Sequence, residues 1–199
     1  GGAIFHNLLK HDYQGTVYPV NPKSPTVQSV RAYPSIADVP EPVDLAVIVV
    51  PAAYVNATLE ACGRKGVKAA VIISAGFKEI GGEGVERERE LVAIARRHGM
   101  RLVGPNCLGV LNTEAGVRMN ATFTPPWPPA GTVAFSSQSG ALGLAILQYA
   151  SLLGIGISHF VSVGNKADVS GNDLLAFWEN DPGTSMLLLY LESFGNPQR

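Results

Sequence analysis

The arrangement of apolar residues along the chain is the sequence feature that most constrains its fold. Continuous apolar runs alternate with segments of helical periodicity, and these runs lack the period-two pattern of a half-exposed sheet. Such runs are typical of parallel strands that are covered on both faces of their sheet. The predicted strands are residues 16–20, 44–50, 69–74, 101–103, 132–135, 157–163 and 185–191.

Helices are predicted between these strands, at residues 3–11, 53–65, 83–98, 140–153 and 171–180. Each helix is long enough to return the chain to a parallel neighbouring strand. The pattern therefore predicts an α/β, doubly wound fold with parallel sheets. A Pro-rich stretch at residues 125–129 divides the pattern, so we predict two domains, 1–126 and 131–199.

The ends of the sequence suggest that it is part of a longer polypeptide. A parallel α/β domain normally opens with a strand, whereas this sequence opens with a predicted helix at residues 3–11. No helix follows the last predicted strand, at residues 185–191. We therefore expect the first strand of domain one and the remainder of domain two to lie outside this chain.

The composition argues against several classes of protein. With 46% hydrophobic residues, the chain is too apolar to be disordered, and a net charge of -1 argues against nucleic-acid binding. No run approaches about 18 apolar residues, so we expect no membrane span and a cytoplasmic location. Cys62 and Cys107 are far apart, and the histidines lack metal-ligand spacing, so no disulfide framework or metal site is predicted.

A first candidate site lies at the carboxyl ends of the predicted strands, where parallel sheets bind ligands. Small, prolyl and polar residues follow four strands in succession: Asn21-Pro22-Lys23, Val50-Pro51-Ala52, Ser74-Ala75-Gly76-Phe77 and Gly104-Pro105-Asn106-Cys107-Leu108-Gly109. Lys23 can meet a phosphate, and Asn106 can hydrogen-bond an amide or a ring edge. For any single strand end, an ordinary tight turn is the alternative explanation.

A second candidate site follows the predicted strand at residues 132–135. Ser137, Ser139 and Gly140 stand in front of an apolar helix, and a helix start presents free backbone N–H groups to an anion. A serine helix cap without a ligand is the alternative. Glu192 ends the last apolar run, which places a carboxylate at a carboxyl edge of the sheet, although a surface glutamate fits that position equally well.

Six pieces of the sequence, in this order, resemble the superfamily of succinyl-CoA synthetase and the NDP-forming acyl-CoA synthetases, in particular the α-type subunit. The pieces are residues 21–23, 50–52, 104–109, 137–140 and 162–165 and Glu192. The resemblance spans essentially the whole chain. It implies a Rossmann-like CoA-binding domain followed by a flavodoxin-like ligase domain, here truncated. In that family a phosphorylated histidine carries phosphate between nucleotide and acyl phosphate, and the CoA thiol then takes the acyl group.

The resemblance also implies roles for individual residues. It assigns the CoA site to Gly2, Lys23, Pro51, Ala75, Phe77, Asn106 and Cys107, with Cys107 near the thiol. Ser137, Ser139 and Gly140 would hold phosphate, and Glu192 would orient the phosphorylated histidine, which is absent from this chain. The expected substrates are CoA, a carboxylic acid and phosphate. ATP or ADP with Mg would bind an ATP-grasp subunit or domain outside the chain, in an oligomeric enzyme.

Two functional hypotheses follow from the resemblance. The first is a part of an ADP-forming acyl-CoA synthetase, which the Ser-Gly turn and Glu192 favour. The second is a non-catalytic CoA or acyl-CoA sensing module, as in relatives fused to a protein acetyltransferase. An NAD-binding redox switch is a weaker third hypothesis, because the sequence has no complete G-x-G-x-x-G fingerprint.

Overall fold

The computed structural model describes residues 1–193, so residues 194–199, the end of the second predicted domain, lie outside the described part. The helices are α1 (Gly2–Lys10), α2 (Ala52–Lys65), α3 (Glu83–Arg97), α4 (Gly140–Leu153) and α5 (Gly171–Trp178). The strands are β1 (Thr26–Val27), β2 (Val30–Arg31), β3 (Leu45–Ile48), β4 (Ala69–Ile72), β5 (Arg101–Val103), β6 (Gly109–Asn112), β7 (Met119–Thr122), β8 (Ala130–Ser137), β9 (Ile157–Ser162) and β10 (Met186–Tyr190). The α/β fold is confirmed, and each predicted helix is present within two residues of its predicted ends.

The first half of the chain is built on a parallel sheet of three strands in the order β3-β4-β5. Helices α2 and α3 pack against this sheet through a buried apolar cluster that contains Leu59, Ile72, Leu91 and Leu102. Helix α2 ends at Gly66, whose left-handed φ of 88° suits a glycine C-cap. Because the three strands are parallel, the loops that follow them lie at the same edge of the sheet.

The second half is built on a five-stranded sheet in the order β10-β8-β9-β6-β7. Strands β10, β8 and β9 are parallel, as predicted, and Phe135 and Phe160 lie under α4 in a second apolar cluster. Strands β6 and β7 were not predicted. They form an antiparallel pair, and β6 also pairs antiparallel with β9.

The predicted strand at residues 16–20 is wrong. This segment is irregular, and only Val20 forms an isolated bridge, with Tyr33. Pro19 has no N–H to donate to a ladder, and its carbonyl accepts the N–H of Tyr33 at 2.9 Å. The segment therefore packs along a neighbouring loop instead of extending a sheet.

The two halves share structure around the predicted boundary. Strands β6 and β7 precede residue 126, yet they pair within the sheet of the second half. A third apolar cluster contains Ile4 and Leu8 of α1 and Ala121 of β7, with residues from both sheets packed against it. The division into domains 1–126 and 131–199 stays a prediction. None of the helices in residues 1–193 has the length and apolarity needed to cross a membrane.

Candidate functional site

A cleft of ≈ 850 Å³ lies where the carboxyl ends of strands from both sheets meet. On the side of the first sheet, its walls come from the loops after β4 and β5. On the other side they come from the start of α4 and the loops after β9 and β10. Predicted site residues that line the cleft are Ala75, Asn106, Cys107, Ser139, Gly140 and Glu192.

Gly164, in the loop after β9, allows the two walls to approach each other closely. Its φ is +51°, and a Cβ there would lie 2.3 Å from the carbonyl oxygen of Pro105 and 2.4 Å from that of Asn106. Contacts that short exclude any side chain. The same loop donates backbone hydrogen bonds from Asn165 to Pro105, at 2.9 Å, and from Ala167 to Gly104, at 3.0 Å. A glycine at position 164 is therefore needed for the closed wall.

Cys107 follows Asn106 in the loop after β5 and lines the same wall of the cleft. The side chain is 5% exposed, and its Sγ donates to the carbonyl of Ile72 at 3.3 Å. Burial raises the pKa of the Cys107 thiol to about 12. The thiol is therefore protonated near neutral pH and is not poised as a nucleophile.

The start of α4 brings a helix N-terminus to the opposite wall. Ser139 is the N-cap residue, and its Oγ accepts the N–H of Leu142 at 3.3 Å. Ser137 is fully buried, and its hydroxyl donates to the carbonyl of Ser139 at 2.6 Å. Ser139 and Gly140 therefore face the cleft, whereas the Ser137 hydroxyl is used inside the protein.

Glu192 lies in the same cleft as the start of α4. Gln138 holds the segment in place, because its Oε1 accepts the N–H groups of Glu192 at 3.0 Å and of Ser193 at 3.2 Å. The structure thus brings a carboxylate and a helix N-terminus together across one opening. Their roles toward a phosphorylated histidine stay predictions.

Four residues of the predicted CoA site do not line this cleft: Gly2, Lys23, Pro51 and Phe77. Gly2, Lys23 and Pro51 are exposed. The Phe77 side chain is fully buried in the core of the first half, and its place in the CoA site stays a prediction.

Three charged residues that were not predicted as site residues also line the cleft: Lys78, Glu79 and Lys166. Lys166 Nζ donates to the Ser193 carbonyl at 2.6 Å and to its hydroxyl at 3.0 Å. Burial, followed by the charge of Lys78, lowers the pKa of Lys166, and Glu192 offsets part of that effect. The available signal was their position, since all three follow the motif residues at strand ends. Within residues 1–193, no group of three or more metal-ligating side chains lies together.

The fold and the cleft define a class of protein: an α/β protein with a candidate ligand cleft where the strand ends of two adjoining sheets face each other. Residues 1–113 match the CoA binding domain, and residues 130–199 match the succinyl-CoA ligase like flavodoxin domain. This chain belongs to the family that joins these two domains, as the sequence resemblance predicted.

Relatives and solved structures support the same assignment. The chain is 50% identical, over 96% of its length, to the acetate–CoA ligase [ADP-forming] I of Archaeoglobus fulgidus, and it covers 27% of that protein. It is 46% identical to the α subunit of acetate–CoA ligase [ADP-forming] I of Pyrococcus furiosus, covering all of this chain and 44% of that subunit. It thus spans less than half of either relative.

One solved structure is similar to this chain over nearly its whole length. The dinucleotide forming acetyl-coenzyme A synthetase 1 of Ca. Korarchaeum cryptofilum, in complex with phosphate and ADP, superposes with a TM-score of 0.93 at 46% identity. The match covers 98% of this chain and 41% of that one.

Proposed function

We propose that this chain is the CoA-binding and phosphate-handling part of an ADP-forming acyl-CoA synthetase. The observation that carries the proposal is the single cleft in which a strand-end wall containing Asn106 faces Glu192 and the start of α4. The relatives that support it are acetate–CoA ligases of the ADP-forming type.

The residues of the cleft fit the chemistry of an acyl group moving between phosphate and a thiol. Ala75 and Gly164 offer a small-residue wall along which an extended thiol substrate can lie against the backbone. Ser139 and Gly140 bring the positive end of the α4 dipole, which attracts a phosphate or a carboxylate. Glu192 can accept an N–H from a histidine ring and so fix which ring nitrogen carries the phosphoryl group.

The rest of the reaction belongs to the longer enzyme. We propose that ATP or ADP with Mg binds an ATP-grasp portion outside this chain, that the phosphorylated histidine also lies outside it, and that the enzyme is an oligomer. Its other substrates are a carboxylic acid and phosphate. A cytoplasmic location is part of the proposal, because Cys62 and Cys107 are both unpaired, which suits a reducing compartment.

Titration of the chain with CoA in a calorimeter tests this function. We expect CoA to bind and NAD at the same concentration not to bind. The variant Lys166→Ala, which removes a lysine that lines the cleft, should weaken CoA binding roughly tenfold, because a lysine–phosphate contact contributes about 1.5 kcal/mol. The matched control is Lys10→Ala, which removes an exposed lysine at the end of α1 and should leave the affinity unchanged.

Two results would contradict the proposal. The first is the absence of any binding heat with CoA, and the second is equal affinity for NAD and CoA. CoA binding by a longer form that shows no phosphohistidine when given ATP would instead favour the sensing module, for which Glu192 and the α4 start would have no use.

A further inference from the structure

Asn165, from the loop after β9, links the two walls of the cleft through its side-chain amide. Its Nδ2 donates to Glu79 Oε2 at 2.6 Å and to Glu88 Oε2 at 2.8 Å. Asn165 is 8% exposed and Glu88 is 7% exposed. One amide of the second half therefore donates to two carboxylates of the first half, of which Glu88 is buried and Glu79 is exposed.

The Glu79 carboxylate also accepts hydrogen bonds from the backbone of the loop after β4. Its Oε1 accepts the N–H of Gly76 at 2.5 Å, and its two carboxylate oxygens lie 3.2 Å and 3.1 Å from the N of Phe77. Desolvation alone would raise the pKa of Glu79, but hydrogen bonds, first that from Asn165, outweigh it and hold this pKa below its ordinary value. The Glu79 carboxylate is thus the ionised acceptor that shapes the loop.

The same asparagine also contacts the loop after β5. Its backbone N–H donates to the carbonyl of Pro105 at 2.9 Å, and its Oδ1 lies 3.5 Å from Asn106 Nδ2. Lys78 closes the cluster, because its Nζ donates to the Asn165 carbonyl and lies 3.3 Å from Glu88 Oε1. Both strand-end loops of the first wall are therefore held by one residue of the second.

We propose that Asn165 is a positioning residue for CoA: through Glu79 it fixes the backbone of Gly76 and Phe77, and through its backbone it fixes the loop of Asn106. The inference rests on the proposed function, since CoA is the ligand that this wall would receive. It adds that the CoA-binding wall of the first half is completed by the second half. Asn165 belongs to the motif at residues 162–165, for which the resemblance implies no role for this side chain.

Titration of the Glu79 carboxyl, followed by NMR, tests whether Asn165 acts through Glu79. In Asn165→Ala, Glu79 loses its side-chain donor, so its pKa should rise toward the ordinary value. The other charged side chains of the cleft, Lys78, Lys166 and Glu192, are kept in that variant, as is Glu88 beside position 165. The matched control is Asn180→Ala, which removes an exposed amide just after the end of α5 and should leave the Glu79 titration unchanged.

Amide hydrogen exchange and CoA titration complete the experiment. In Asn165→Ala, exchange at Gly76 and Phe77 should accelerate at least tenfold without ligand, and CoA affinity should fall at least fivefold. An unchanged Glu79 titration or unchanged exchange overturns the inference. So does wild-type CoA affinity in a variant whose loop exchanges faster.

The design separates this inference from the proposed function. Failure of the wild-type chain to bind CoA contradicts the proposed function, whereas the titration and exchange arms need no ligand. If Asn165→Ala does not fold, Glu79→Ala replaces it. Glu79 is an exposed residue, and its loss should produce the same faster exchange at Gly76 and Phe77 and the same loss of CoA affinity. Unchanged values in that variant would overturn the inference as well.

Discussion

At the scale of single residues, burial decides which groups of the cleft are reactive. Cys107 lines the cleft, but desolvation keeps its thiol protonated, and Cys62 is buried with its pKa raised to about 11. A cysteine becomes an effective nucleophile only as the thiolate. Cys107 therefore contributes shape to the site, and the acyl group is left to the thiol of CoA in the proposed reaction.

Alkylation tests this assignment of Cys107. A thiol with a pKa of about 12 is roughly 10⁻⁴ thiolate at pH 8, so folded protein should gain no adduct from iodoacetamide over a time that labels a free thiol fully. The readout is the intact mass, and urea-unfolded protein, in which both cysteines react, is the control. Cys107→Ser should bind CoA with an affinity within about twofold of wild type. Rapid labelling of folded Cys107, or loss of CoA binding in Cys107→Ser, would contradict this role.

Residue positions at strand ends were predictable, whereas the directions of their side chains were not. The rule that parallel sheets bind ligands at their carboxyl edges located Asn106, Ser139 and Glu192 from the sequence. It could not show that Phe77 points into the core. Nor could it show that the short 3₁₀ helix at Lys78–Ile80 folds Glu79 back onto the loop before it, because that depends on contacts with Asn165, 86 positions along the chain.

At the scale of elements, periodicity carried most of the prediction. Helices α2 and α3 follow from their apolar stripes, and the apolar run of β4 follows from burial on both faces, whereas the apolar run of β10 is largely exposed. Strands β6 and β7 form an antiparallel pair, and neither is a continuous apolar run, so they gave no comparable signal. The segment at residues 16–20 carries a strand-like composition, but no partner strand lies beside it within the described residues.

The loop after β9 offers a prediction at this scale. Gly164→Ala would place a methyl group against the carbonyls of Pro105 and Asn106 and would also force alanine into a left-handed conformation. The matched control is Gly154→Ala at the end of α4, where φ is +69° but no atom lies within 4 Å of the added carbon. Gly154→Ala should cost about 1 kcal/mol of unfolding free energy, from backbone conformation alone.

Gly164→Ala should cost about 2 kcal/mol more than Gly154→Ala, since overpacking adds roughly 1–3 kcal/mol. Urea unfolding followed by circular dichroism gives both values. Equal losses in the two variants would mean that the loop after β9 does not need the close approach to the first half.

At the scale of the whole molecule, the apolar cluster around α1 joins the two sheets. Ile4, Leu8 and Ala121 are buried there, and Val47 and Ile73, from β3 and just after β4, pack against the same cluster as Val110 of β6. Arg101 at the start of β5 adds ion pairs to Asp168 at 2.9 Å and to Asp173 at 3.2 Å, at the entry to α5. The apolar cluster and these ion pairs both join the two halves, so we predict that the halves unfold as one cooperative unit.

Leu8→Ala tests that cooperativity, with its neighbour Leu9→Ala as the control. Leu8 is 8% exposed within the cluster, whereas Leu9 is 45% exposed on the other side of α1. Truncating a buried leucine costs about 2–3 kcal/mol, while the exposed one should change stability by no more than about 0.5 kcal/mol. The reporters are the fluorescence of Trp178, buried in α5 of the second half, measured with Trp127→Phe in every variant, and amide exchange in β4 of the first half. Because the cluster touches both sheets, Leu8→Ala should lower the free energy of opening at both reporters by the same amount. A loss confined to one reporter would show that the halves unfold separately, and the predicted boundary between residues 126 and 131 would then mark two independent folding units.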